Sequence, residues 1–295
     1  MLQQAVINII EQTAPLSLMA EWDHSGVQVA SPRKEIRRLS VCLDPAPEQI
    51  RTALETGADM VLTHHPLAMR PQWTGALNGY TDTLRMLYSH DVPLYASHTT
   101  LDANPLGPAA WLPDELRLTG RSLLEKTGTF TAPSGTTLAG QVLDGGFGCV
   151  GDLPSPLSLK EVCAVLRRHL PVDRMCGVVR FVGNAGRTVR RVAVCTGSGS
   201  SLMEEAAAAG ADLYITGDLK YHESLALRSR QDTHSTDACP MAILDVGHFS
   251  LEEEMIRRFA LLLEKQLDGV TVAFLPGRDP FLPLTFLSEV PEVLS

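Results

Sequence analysis

A chain of 295 residues with 44% hydrophobic and 20% charged residues has the composition of a globular protein and the length of one large or two modest α/β domains. Its net charge of −9 lacks the basic balance that binding along nucleic acid normally requires, so we do not expect a nucleic-acid partner. The six cysteines form no CxxC pair, which excludes a zinc ribbon and argues against a disulfide framework.

The first fifteen residues predict an amphipathic helix over residues 4–13 and lack the basic start of a signal peptide. No run approaches the roughly 18 apolar residues of a membrane span. We therefore expect a cytoplasmic protein with reduced cysteines and no membrane partner.

Strands and helices alternate through the first half of the chain. The pattern predicts strands at 36–44, 59–65 and 92–99, with helices at 47–57 and 81–91. Such alternation is typical of parallel strands joined by crossover helices.

The second half repeats this style from residue 190 onward and ends in a long helix at 249–267 and a strand at 270–276. Between the halves, Ser158 and Glu161 form the capping box of a helix at 157–170. We find no strict internal repeat, but we expect two similar α/β lobes with mixed, largely parallel sheets. The predicted division places residues 1–120 in the first lobe and 121–295 in the second, without an inserted domain.

Three predicted strands end in imidazoles, and two of these are followed by a carboxylate. They supply His64 with His65, His98 with Asp102, and His248 with Glu252. In open α/β sheets the ligand crevice lies beyond the carboxyl ends of the strands. A spacing of four residues at a helix start also places His248 and Glu252 on one face.

A metal centre explains this constellation best. One histidine at a strand end is more often structural, and one His–x3–Glu pair is usually a solvated helix face. Three such pairs at matching strand ends favour a metal, and the number of donors exceeds one tetrahedral site. Since a carboxylate can bridge two ions about 3.5–4 Å apart, we prefer a dinuclear centre in the cleft between the lobes. Mixed imidazole and carboxylate donors suit Zn, Mn, Fe or Co rather than Ca.

Three further segments allow two interpretations each. Residues 196–201, with Ser198 and Ser200, are either a phosphate-binding turn before a helix or a flexible loop. Asp218, Lys220 and His222 follow another strand and either contact substrate or, for Asp218, cap the next helix. The strand direction favours a role in the cleft for some of them. Trp22, in the turn before Gly26, is either a buried indole or part of the cleft floor.

Seven segments occur in an order that resembles the Nif-three-like family of dinuclear metal proteins, whose members are known as GTP cyclohydrolase I type 2 homologues. They are EWDHSGVQVAS, VLTHHPL, SHTTLDAN, FGCVGDLPSPLSLKEV, VAVCTGSGSS, ADLYITGDLKYHE and LDVGHFSLE.

The resemblance implies five metal ligands, with Asp102 shared between the ions and His98 beside the centre. The ligands are His64, His65, Asp102, His248 and Glu252. It also implies a compact two-lobed subunit that assembles into a toroidal homohexamer. His24 and Thr100 depart from the family pattern, which usually has Asn at both positions.

The implied activity is hydrolysis of a nucleotide, in which a metal-bridging hydroxide opens the imidazole ring of GTP and formate is released. His98 or His222 would then move protons, and Lys220 or the 196–201 turn would hold phosphate. Two alternatives remain open: a two-metal phosphoesterase, and a metal-containing scaffold or regulatory protein with little turnover.

Overall fold

The computed structural model describes residues 1–133, 136–170, 179–233 and 241–281, and only the backbone of 228–233. The described residues form eleven strands in two mixed sheets. The strands are β1 (Gly26–Val29), β2 (Arg38–Cys42), β3 (Met60–Thr63), β4 (Leu94–Ala96), β5 (Thr119–Thr131), β6 (Val142–Ser158), β7 (Arg180–Val182), β8 (Thr188–Ser198), β9 (Leu213–Gly217), β10 (Ala242–Asp245) and β11 (Thr271–Phe274).

Helices join these strands and cover the sheets. They are α1 (Gln3–Thr13), α2 (Pro47–Glu55), α3 (Gly79–Ser89), α4 (Thr99–Asp102), α5 (Trp111–Glu115), α6 (Leu159–His169), α7 (Met203–Ala208), α8 (Tyr221–Thr233) and α9 (His248–Gln266). Within the described ranges, no helix combines the length and apolar character that a membrane crossing needs.

The two sheets share one arrangement of strands, which confirms the predicted α/β class and the similarity of the two halves. The first has the order β1-β4-β3-β2-β11 and the second β5-β6-β8-β9-β10-β7. In each sheet three central strands are parallel, and a short strand runs antiparallel to the last of them: β1 beside β4, and β7 beside β10. The carboxyl ends of β4 and β10 are therefore equivalent positions.

Two features of the topology were not predicted. β5 and β6 form a long antiparallel hairpin, although β6 contains Gly145, Gly146, Gly148 and Gly151, and glycine lowers strand propensity. β11 comes from the end of the described chain but pairs in parallel with β2 of the first sheet. The division near residue 120 stays a prediction.

Helix α9 connects the two sheets. Its buried apolar residues belong to a hydrophobic core that also contains Leu39 and Leu62 of the first sheet and Val192 and Leu213 of the second. Because this helix packs between the sheets, its first turn lies where the carboxyl ends of both meet. The predicted capping box of α6 is present, with the Ser158 hydroxyl accepting from the Glu161 N–H.

The four cysteines whose side chains the structure describes are free thiols: Cys42, Cys149, Cys163 and Cys195. Cys176 and Cys239 lie outside the described residues.

Candidate metal centre

Three strand ends bring the predicted ligands together. His64 and His65 follow β3, Asp102 ends the short helix α4 after β4, and His248 and Glu252 lie in the first turns of α9 after β10. Gly247, with φ +85°, makes the turn from β10 into α9. His64 and Glu252 are buried.

Glu252 lies at the middle of the cluster. Its Oε1 is 3.5 Å from His64 Nε2, and its Oε2 is 3.0 Å from His65 Nε2 and 2.8 Å from His248 Nε2. Asp102 Oδ2 lies 3.7 Å from His64 Nε2.

The cluster contains three overlapping groups that could hold a metal ion. They are His65 with His248 and Glu252, His64 with Asp102 and Glu252, and His64 with His65 and His98. Glu252, rather than Asp102, belongs to both groups that contain a carboxylate. The longer side chain on the helix between the sheets reaches both sides of the cluster, whereas Asp102 approaches from the first sheet alone.

Each imidazole of the cluster is oriented through its other nitrogen. Nδ1 of His64 donates to the carbonyl oxygen of Ser97 at 2.8 Å. Nδ1 of the other three rings hydrogen-bonds to a carboxylate: His65 to Asp44 at 2.7 Å, His98 to Asp23 at 2.8 Å and His248 to Asp218 at 2.7 Å. This fixes the ring orientations and turns the Nε2 atoms of His64, His65 and His248 toward Glu252, as is usual for histidine ligands of metals.

Sequence reasoning did not find the orienting role of Asp44, Asp23 or Asp218. Asp44 was detectable in principle, since it lies two residues after β2, as His98 lies two residues after β4. Asp218 was singled out for substrate contact or helix capping, but its carboxylate holds His248. Its backbone has φ +56°, an uncommon conformation for a residue other than glycine.

The charged groups of the cluster shift one another's pKa. Burial raises the pKa of Asp102 to about 7. Burial acts in the same direction on Glu252, but the neighbouring imidazoles outweigh it and hold its pKa well below the usual range. Burial lowers the pKa of His65 and His248, yet their carboxylate partners raise it to about 10 and about 9.

Several buried atoms of the cluster have no hydrogen-bond partner among the described residues. They are His64 Nε2, Asp102 Oδ1, His248 Nε2 and Glu252 Oε2. Leaving such atoms unpaired is costly. His248 Nε2 and Glu252 Oε2 are 2.8 Å apart without hydrogen-bond geometry, so they converge without satisfying each other. A cation bound among these donors would satisfy them, and the residues therefore fit a metal.

The glycine-rich 196–201 turn lies against the cluster. Gly197 has φ +71°, and a Cβ built on it would lie 2.2 Å from Glu252 Oε1. The Ser200 hydroxyl donates to the carbonyl oxygen of Asp218 at 2.8 Å, so it supports the residue that orients His248. Ser198 lines the adjacent cavity.

Other predicted residues lie outside the cluster. Lys220 is exposed, with Nζ 3.8 Å from Glu223 Oε1, and His222 stacks edge-on against Tyr221. His24 is exposed, whereas Thr100 is buried beside Ser25, whose hydroxyl oxygen accepts from the Thr100 hydroxyl at 3.3 Å.

A cavity of about 770 Å³ opens beside the cluster, within the size range of small-molecule sites. His98, Asp102, His248 and Glu252 line one part of it, together with Trp22. The indole of Trp22 is 59% exposed, so it belongs to the cleft rather than to a buried turn. It lies edge-on to His98 with ring centroids 5.7 Å apart.

The fold and site define a two-lobed α/β protein with an imidazole–carboxylate cluster between its sheets. The chain belongs to the DUF34/NIF3 (NGG1p interacting factor 3) family, whose model matches residues 1–280.

Relatives and solved structures agree with this family. The chain is 28% identical over 287 residues to a GTP cyclohydrolase 1 type 2 homolog of Clostridium perfringens, covering 96% of this chain and 98% of the relative. It is 31% identical over 249 residues to the Streptomyces coelicolor protein of the same name, covering 84% and 80%.

Two solved structures share the fold. A Bacillus cereus protein related to NIF3 aligns with a TM-score of 0.78 at 20% identity, covering 96% of this chain and 99% of that one. Reduced HcgD from Methanocaldococcus jannaschii aligns with a TM-score of 0.74 at 24% identity, covering 93% and 98%.

Proposed function

We propose that the cluster holds two divalent metal ions and that the protein is a metal-dependent hydrolase of the GTP cyclohydrolase type. The observation that carries this proposal is the convergence of three Nε2 atoms and two carboxylates, with the opposite nitrogen of each imidazole held by an acceptor. The names of the Clostridium and Streptomyces relatives supply the reaction class.

The ligand groups indicate how the residues would divide between the ions. His65, His248 and Glu252 would hold one, His64, Asp102 and Glu252 the other, and the mixed donors favour Zn, Mn, Fe or Co. Ions in such a site supply Lewis acidity and lower the pKa of bound water.

The chain itself would bind the substrate and position a proton carrier. The cavity has room for a purine nucleoside. His98 lines it, with ring centroids 5.2 Å from His64 and 5.6 Å from His65. Because Asp23 fixes its Nδ1, its Nε2 is the nitrogen able to exchange a proton with a reacting group. Ring opening would consume one water as the C8–N9 bond breaks, and a second water would release C8 as formate.

Elemental analysis of the purified protein, followed by a formate assay with GTP, tests this proposal. We expect about two metal ions per chain and formate release that depends on them. The double change Asp102→Ala, His248→Ala should abolish both. His90→Ala is a matched control, since His90 is an exposed histidine at the end of α3.

Other results would contradict parts of the proposal. Phosphate release without formate would indicate a two-metal phosphoesterase. Bound metal without turnover would favour a scaffold or regulatory role. Formate release that survives the double change would rule out the metal-site mechanism.

We also propose that the protein assembles as a homohexamer, as the family resemblance implies. Met69, Trp73 and Leu77, on the segment between β3 and α3, expose apolar surface that an interface would cover. Light scattering should then give six times the 32.0-kDa chain mass. A monomeric mass would contradict this.

A further inference from the structure

The cavity beside the cluster has a large apolar lining. Besides the predicted metal ligands, its lining includes Leu106, Leu143, Phe147 and Leu202, which we call the apolar wall. Ligand sites that combine an apolar wall with a few polar groups at one end suit a flat organic ring that is oriented at that end.

Trp22 adds an aromatic surface at the same cavity. Large aromatic side chains usually bury most of their area, whereas this indole stays 59% exposed beside His98. Within the first sheet's lobe, the buried neighbour Asp23 fixes the backbone at this point by accepting from Thr99 Oγ1 and Ser25 Oγ. The backbone is therefore fixed at this point, and the exposed indole, which contacts His98, is available to a ligand.

Positive charge for a phosphate tail is scarce along the cavity. Among the described lining residues, only Arg121 and Lys126 carry a permanent cation. Arg121 donates to the Asp114 carboxylate at 2.5 Å and to the Leu118 carbonyl oxygen at 2.8 Å. Lys126 donates to Asp144 at 2.5 Å. Both cations are thus already paired.

The lining also carries carboxylates that a triphosphate would have to approach. They are Asp102, Glu125, Asp144 and Glu252. Asp102 and Glu252 would be neutralised by the metal ions and Asp144 is paired with Lys126, which leaves Glu125 as the carboxylate that a phosphate tail would meet. The whole chain has a net charge of −9, which disfavours the approach of a polyanion. Of the side chains that the sequence suggested for phosphate, Lys220 and Ser200 are not among the lining residues, and only Ser198 is.

We propose that the cavity recognises its substrate by an uncharged purine ring that lies against Trp22 and the apolar wall, and that the substrate is a purine nucleoside rather than a nucleoside triphosphate. This inference rests on the proposed function for the reaction at the ring. It differs from the GTP substrate that the relatives' names suggest.

Calorimetric titration of the metal-loaded protein with guanosine and with GTP tests the proposal. Guanosine should bind at least as tightly as GTP. Trp22→Ala should weaken guanosine binding at least tenfold, whereas Trp22→Phe should retain most of it because a flat ring remains. Tyr88→Ala is the matched control, since Tyr88 is an aromatic residue that is 61% exposed on α3 and its loss should leave the affinity unchanged.

Parallel formate assays separate this inference from the proposed function. Guanosine binding that depends on Trp22, without formate release from either compound, would support the recognition mode and contradict the hydrolase. Formate release from GTP with tenfold weaker binding of guanosine would overturn the inference and leave the hydrolase standing. Equal affinities of the Trp22→Ala and Tyr88→Ala proteins, or no binding of guanosine, would also overturn it.

Discussion

Asp59 and Asp212 make the same set of hydrogen bonds in the two sheets. Asp59 accepts from the backbone N–H groups of Arg37 and Arg38 and from the guanidinium of Arg33. Asp212 accepts in the same way from the N–H groups of Arg190 and Arg191 and from the guanidinium of Arg187. Each carboxylate ties the start of one parallel strand to the start of the next, so the equivalence of the sheets extends to individual side chains.

Asp212 should make the stability of the second sheet depend on pH in the acidic range. Burial raises the pKa of this carboxyl, but the N–H groups of Arg191 and Arg190 and the cation of Arg187 outweigh burial and lower it. A carboxyl with a lowered folded-state pKa stabilises the fold above its unfolded value of about 3.9, and this contribution disappears as the pH falls through the folded-state pKa. Asp212→Asn should therefore cost about 1–2 kcal/mol at pH 7 and less at pH 3.

Urea unfolding of the Asp212→Asn and unchanged proteins at the two pH values measures this difference. Asp268→Asn, at an exposed position after α9, is a control that should change little at either pH. An equal loss of stability at pH 7 and pH 3 would show that the charge of Asp212 contributes nothing.

Gly197 leaves room for the Glu252 carboxylate. Its φ is +71°, and a Cβ there would lie 2.2 Å from Glu252 Oε1, whereas Gly210, with φ +73°, has nothing within 4 Å of its Cβ position. Both Gly→Ala changes should therefore incur similar backbone strain, about 1 kcal/mol. Only Gly197→Ala should also displace Glu252 and lower the metal content.

Metal analysis and thermal unfolding of the two glycine variants distinguish strain from displacement. In metal-free protein we expect both variants to lose stability, Gly197→Ala more than Gly210→Ala because Glu252 is displaced from its imidazole partners, and we expect a loss of bound metal in Gly197→Ala alone. Full metal content in Gly197→Ala would show that Glu252 can move away without consequence for the centre.

Asp218 should act on metal affinity through His248. Its Oδ2 lies 2.7 Å from His248 Nδ1, and removal of such an orienting partner typically costs 10–100-fold in metal affinity. We expect a weakening in this range for Asp218→Ala, measured by competition with a chelating dye. Asp91→Ala is the control, because Asp91 has a similar φ of +51° but lies on the surface after α3. Equal metal affinity in the two variants would refute the orienting role.

The ligand motifs were accessible from sequence because each one combines a strand end with a fixed local spacing. His98 with Asp102 and His248 with Glu252 share a spacing of four residues, and the structure places both pairs after equivalent strands, β4 and β10. A spacing of this kind can be recognised from the sequence in any fold in which a helix follows the strand.

The remaining features depend on contacts distant in sequence. β3 and β9 both follow a Gly-Ala-Asp segment, yet β3 leads to His64 and His65 whereas β9 ends at Gly217 and leads to Asp218. The position equivalent to the predicted ligand His65 is thus the orienting carboxylate Asp218, a difference that no periodicity in the sequence reveals. Likewise, the apolar pattern predicts the last strand, β11. It does not predict the pairing of β11 with β2, which lies more than 200 residues earlier.

Metal binding at neutral pH should release protons. In the metal-free protein, carboxylate neighbours raise the pKa of His65 to about 10 and that of His248 to about 9, despite the opposing effect of burial. Both imidazoles are therefore protonated at pH 7, and burial leaves Asp102, with a pKa of about 7, partly protonated. Because a metal ligand must be deprotonated, binding should release about two protons or more per chain, and affinity should rise from pH 6 to pH 9. Calorimetry in buffers of different ionisation enthalpy measures this number directly. If the heat does not vary with the buffer, His65 and His248 do not give up protons to the metal.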